Sequence, residues 1–174
     1  LNSSYQGLAS LYYLIIRSVY VILFARALGV DQYGAYVYSQ SWYLLALTFG
    51  SWGMNELAIA EHARQGPARG RAVLEAGYGL RLALCAALVV ILAVIAMLFE
   101  SDSELRLLIL IYSQAVLARG ATNWYSALLV AHERSQLWLY LTIPFLTLEV
   151  AVAIALAVSG AGLVAIAIAQ CAVW

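Results

Sequence analysis

Arg17, Arg119 and Glu149 each stand near the middle of a long apolar run, where packing alone does not explain an ionisable side chain. A charge at the centre of a membrane helix costs roughly 2.5–3.5 kcal/mol on insertion scales, so it faces protein or a wet cavity. A guanidinium holds a phosphate through two parallel hydrogen bonds. A deep carboxylate neutralises a neighbouring cation or takes part in ion coupling. Arg119 and Glu149 are the obvious couple for a buried structural ion pair. Arg17 then has no carboxylate partner in view, and the interior is left net positive.

Helical spacing groups these charges with other polar residues. Ser3, Gln6, Ser10, Tyr13, Arg17, Tyr20 and Phe24 recur at three and four residues, one continuous stripe on a helix whose remaining face is Leu, Ile, Val and Ala. Tyr112, Arg119, Asn123 and Ser126 share a second face, and Tyr36, Gln40 and Tyr43 a third. Helices with one wet and one greasy face imply a solvated central cavity. Its expected contacts are Arg17, Arg119, Tyr13, Tyr20, Asn123 and Gln40, with Glu149 as ion-pair partner or coupling group. Catalysis finds no footing. There is no Asp-rich metal cluster, no Ser/His/Asp set and no Gly-rich phosphate loop. Cys85 and Cys171 lie in apolar runs without ligand spacing, and His62 and His132 fall at link positions that read as solvated. No metal, cofactor or enzymatic activity is expected.

The elements that carry these residues follow from composition. Of 174 residues, 65% are hydrophobic and 10% charged, and mean hydropathy is +0.89. An ordinary soluble domain carries about a quarter charged residues. Net charge is zero and the nine basic residues are all arginine with no basic face, which excludes a nucleic-acid partner. The runs are far longer than the ~9–11 residues of a barrel strand and do not alternate. The expected fold is all-α, a polytopic transmembrane bundle of about five complete spans and part of a sixth: 7–28, 33–54, 78–99, 105–131, 137–158 and a truncated 163–174. Between them lie a turn at Gly29-Val30-Asp31, an acidic link at Glu100, Asp102 and Glu104, and a hairpin at 159–162. The link at 55–81 holds Arg64, Arg69, Arg71 and Arg81, and its Leu57, Ile59 and Ala60 suggest a short interfacial helix ended by Gly66-Pro67. Basic links inside and acidic or neutral links outside place the N-terminus in the cytoplasm. That orientation brings Arg17, Arg119 and Glu149 to similar depth. Gly120 and Pro144 read either as packing and kink residues or as helix breaks beside a substrate.

One segment is specific. Ala25-Arg26-Ala27-Leu28-Gly29 followed by Tyr33-Gly34-Ala35-Tyr36 resembles the end of the first helix in O-antigen (Wzx-type) polysaccharide flippases of the multidrug/oligosaccharidyl-lipid/polysaccharide exporter superfamily. Gly29 would end one helix, Gly34 would help start the next, and Tyr33, Tyr36 and Tyr38 would anchor at the membrane surface. Gly50, Gly53 and the stretch from Leu128 through Ala131, His132, Glu133 and Arg134 are also similar to that family. The resemblance implies most of one half of a two-lobed transporter in the inner (cytoplasmic) membrane. Such proteins flip polyprenyl-diphosphate-linked oligosaccharide by alternating access for surface polysaccharide and lipopolysaccharide biosynthesis. Cavity arginines are then expected to meet the diphosphate, Arg17 first and Arg119 second. Expected partners are the lipid-linked oligosaccharide, membrane lipids, and the polysaccharide polymerase and chain-length proteins. A drug/cation antiporter of the same superfamily is the alternative, resting on Glu149 as the one deep acid. A membrane glycosyl or polyprenyl transferase is the enzyme-class alternative, with Glu100, Asp102 and Glu104 at a membrane edge.

Overall fold

The computed structural model describes residues 2–132 and 134–174, apart from the side chains of 2–6, 65–69, 131 and 135. Ser3, Gln6, Gly66, Pro67, Arg69, Ala131 and Glu133, singled out above, fall outside the described residues in whole or in side chain. The described chain is helical: α1 (Asn2–Ser51), α2 (Met54–Phe99), α3 (Ser103–Ala131), α4 (Ser135–Val158) and α5 (Leu163–Val173), with no strand among the described residues. The protein is an all-α polytopic bundle. Four runs are long and apolar enough to cross a membrane, namely Gly7–Arg64, Gly70–Phe99, Ser103–Val130 and Gln136–Val158, and Leu163–Val173 is shorter. Lipid offers the backbone no hydrogen bonds, so continuous helix is what such runs must form.

Breaks fall where glycine or a local cap permits them. Gly29 (φ 76°, ψ 176°) divides α1 into arms 2–28 and 30–51, so two of the expected spans lie within one helical element. The break is confined to that residue rather than spread over Gly29-Val30-Asp31. At the far end of the second arm Trp52 (φ 24°) and Gly53 (φ 69°) bend the chain into α2. The Asp102 carboxylate caps α3, accepting from the backbone N–H of Glu104 at 2.8 Å and of Leu105 at 3.5 Å. Gly160 (φ 75°) closes α4: Ala161 N–H donates to Leu156 C=O and Gly160 N–H to Ala157 C=O, the two bonds of a Schellman ending.

α2 does not run straight. A Cβ at Gly70 would lie 3.0 Å from His62 Cα, whereas eight residues of straight helix span about 12 Å. Leu74 packs on Ala58, and Arg81 reaches Asn55. Residues 70–99 therefore return alongside 54–64. What reads in sequence as one basic link is a helical hairpin, and Arg81 belongs to its returning arm. His62 is half-buried against Gly70 with its ring 5.1 Å from that of exposed His132, so it is not the solvated residue expected.

Small residues let the helices close. Gly120 sits on Cys85, where a Cβ would come 2.7 Å from Sγ, and Gly77 sits on Trp124 at 2.6 Å. Gly120 is thus a packing residue between α3 and α2, and α3 passes through Arg119-Gly120 unbroken. Pro144 likewise lies inside an uninterrupted α4. Ala153, Ala157, Ile166 and Ala167 join α4 to α5 in the main core, the close approach that membrane helices use in place of a solvent-driven core.

Candidate functional site

Arg17, Arg119 and Glu149 converge. Arg17 Nη2 donates to Glu149 Oε1 at 2.8 Å, and Arg119 Nη2 donates to Oε2 at 3.3 Å. Glu149 is buried, while the arginines are part-exposed to a cavity of about 760 Å³ between α1, α3 and α4. The expectation that Arg17 lacks a carboxylate partner is corrected: it makes the shorter of the two bonds. Three 3.6-period faces turned toward one axis bring the charges together, because Glu149 can then reach α1 as easily as α3. Two guanidiniums on one carboxylate still leave one positive charge.

Of the residues expected at the cavity, Tyr13, Arg17, Gln40, Arg119, Asn123 and Glu149 line it. Tyr20 does not. It is 3% exposed, its hydroxyl lies 3.0 Å from that of Tyr36, and Gln170 Nε2 donates to it at 3.0 Å. The stripe on the first arm continues past the cavity into this sealed layer, and spacing alone does not say where the cavity stops. Tyr36 is corrected with it. Expected as a surface anchor, Tyr36 is buried, with Phe24 packed on its ring edge-on. Tyr33 packs partly against the core, while Tyr38 is exposed and donates to Glu100 Oε2 at 3.1 Å. Tyr112 donates to Gln170 Oε1 at 2.7 Å and completes the layer. Among the other motif residues, Gly29 has the positive φ described above, and Leu28 packs partly on the core. Ala25 and Arg26 lie on the first arm, one turn before the break; Gly34 faces open space.

Sequence reasoning missed several wall residues. Trp138 and Thr142 line the cavity from α4, Thr122 from α3, and Trp174 from the end of α5. Arg119 Cζ lies 4.9 Å from the Trp174 ring centroid, which in turn stacks on Tyr43 at 5.1 Å. Arg17 Cζ lies 5.5 Å from the Tyr13 ring and 5.7 Å from Tyr20. Aromatic faces near a guanidinium add cation–π attraction and hold its plane in place. The wall extends through Leu47, Leu129 and Trp138 toward the end of the bundle that carries the α3–α4 link. At the opposite end Tyr20, Phe24, Tyr36, Tyr112 and Gln170 are all buried. The arrangement is a chamber with a cationic floor that can hold an anion, closed at the tyrosine layer and flanked by exposed wall residues such as Leu44, Tyr125 and Phe145. Among the described residues no group of three or more His, Cys, Asp or Glu is placed to hold a metal ion.

No curated protein and no solved structure matches the chain significantly. Residues 2–173 match the pattern of the family described as "Polysaccharide biosynthesis protein". That match takes in every helix that builds the chamber. A multi-pass helical bundle with a charged interior is the architecture the Gly29 motif led one to expect, and the chain belongs to the polysaccharide biosynthesis protein family.

Proposed function

We propose that this chain forms most of the N-terminal half of a flippase that carries polyprenyl-diphosphate-linked oligosaccharide across the cytoplasmic membrane by alternating access. The observation that carries the reading is the pair of cavity-facing arginines on a single carboxylate, which leaves net positive charge where a diphosphate would enter. Family membership is consistent with it. Arg17 is assigned the first contact with the diphosphate, Arg119 the second, and Tyr13, Gln40 and Asn123 the flanking polar contacts. Trp138, on the cavity wall, is assigned to the sugar end of the ligand. With the N-terminus cytoplasmic, the chamber extends toward the cytoplasm and the tyrosine layer closes the outer side. A cation antiporter is disfavoured because the one deep acid is already engaged by two cations.

The test is a strain deleted for its flippase. Without the full-length protein, radiolabelled lipid-linked oligosaccharide should accumulate on the cytoplasmic face, and restoring it should clear the pool. A transferase would instead leave the unmodified precursor, and that result contradicts the proposal. Orientation is checked separately by a cysteine at exposed Ser101, which an impermeant thiol reagent should label from outside; labelling only after lysis reverses the topology.

A further inference from the structure

Glu149 presents one oxygen to each arginine, yet it sits behind them. Its side chain is 3% exposed, whereas Arg17 and Arg119 keep 21% and 24% of theirs open. Each of its oxygens accepts from one guanidinium nitrogen, so most of the N–H donors of the two arginines are not spent on it. A carboxylate brings two acceptor oxygens to such a site. A diphosphate brings more, and each is a strong acceptor for a guanidinium. The site is therefore better matched to a phosphate-bearing ligand than to the residue that now holds it.

Resting on the reading of this chamber as an anion site, we infer that Glu149 is an internal stand-in for the ligand's anion. It neutralises Arg17 and Arg119 before a ligand arrives, and the ligand's phosphate oxygens take both arginines from it on binding. Arg17 belongs to α1, Arg119 to α3 and Glu149 to α4, so the exchange loosens the tie among three helices. Arg17 also lies against Tyr20 of the sealed layer, which places the exchange next to the end that must open for release. The stand-in has a second consequence. Anions that engage one arginine weakly do not displace it, so the site favours ligands able to engage both.

The test is binding of farnesyl diphosphate to the full-length protein in lipid nanodiscs, read by tryptophan fluorescence because Trp138 and Trp174 line the cavity. Glu149→Gln should bind about tenfold tighter than wild type, and Arg17→Ala about tenfold weaker. Farnesol, which lacks the anion, should not distinguish the three proteins. Glu149→Gln binding no tighter than wild type, with Arg17→Ala still weakened, overturns the stand-in and leaves the anion chamber standing. Arg17→Ala and Arg119→Ala both binding like wild type overturns the chamber reading and the stand-in with it. Should Glu149→Gln fail to fold, Glu149→Asp decides. It keeps the charge but withdraws the carboxylate by one methylene, and it should bind a few-fold tighter; affinity at or below wild type overturns the stand-in.

Discussion

Two arginine sites in this molecule make opposite use of the same side chain. Arg17 and Arg119 face a cavity and share a carboxylate. Arg81 is fully buried, donating to Asn55 Oδ1 at 2.6 Å and Ser51 Oγ at 3.0 Å, with its guanidinium 6.0 Å from the Trp124 ring centroid. Among the described residues no carboxylate lies within salt-bridge distance of it. Both its partners flank the bend at Trp52 and Gly53, so Arg81 clasps the returning arm of α2 to the place where the chain leaves α1. The difference teaches how to read a deep arginine. One with open surface and a shared anion is poised to exchange partners, and one with neutral partners and no open surface fixes a bend.

Glu149→Ala should have the largest effect on folding. It strands two guanidiniums in one site, at a cost of about 3–5 kcal/mol, seen as loss of monodisperse protein on heating. Adding Arg119→Ala should recover part of that loss, since one charge then remains instead of two. Strictly additive losses would mean that the residues act separately, and the comparison with Arg81 would lose its first half.

Arg81→Ala should follow, at about 2–4 kcal/mol, from two lost charge-assisted bonds and the space left beside Trp124. Arg81→Met should fall between, because it fills the space but leaves Asn55 unpaired. Thermal unfolding of the three proteins separates them. An Arg81→Ala protein as stable as wild type would dissolve the clasp.

Gly120→Ala should cost less, about 1–3 kcal/mol, by overpacking against Cys85. Adding Cys85→Ala removes the obstructing sulfur and should restore much of the stability. Failure of that rescue would show that something other than the α2–α3 approach sets the position of Arg119.

Much of this was legible in the sequence, for physical reasons that also mark the limit. Run length and the cost of burying charge identified the long apolar helices, a turn beginning at Gly29 and the similar depth of Arg17, Arg119 and Glu149. Depth can be counted along a chain. Azimuth cannot, and so Glu149 was matched to Arg119 alone when it serves Arg17 at shorter range. The stripe that correctly grouped Tyr13 and Arg17 also swept in Tyr20, because a helix keeps its face whether that face meets water or another helix. Arg81 was counted with the basic link at 55–81 although the expected span 78–99 already takes it in. The apolar residues on either side of it, Leu80 and Leu82, were the signal that it lies within a helix. The contact between Arg81 and Asn55 stayed hidden, since partners 26 residues apart in one helical run are not expected to meet.

The most direct test sets Arg17→Ala against Arg81→Ala in a flippase-deleted strain, reading surface polysaccharide per folded transporter together with the folded amount. Arg17→Ala leaves Glu149 with Arg119 as a neutral pair, so most folded protein should survive while export per molecule falls at least about tenfold. Arg17→Lys should keep part of the export, because a point charge replaces a two-pronged contact. Arg81→Ala should do the reverse, lowering the folded amount while each surviving molecule exports normally. Arg17→Ala exporting like wild type at matched protein level would contradict the account and leave Arg17 a purely structural residue.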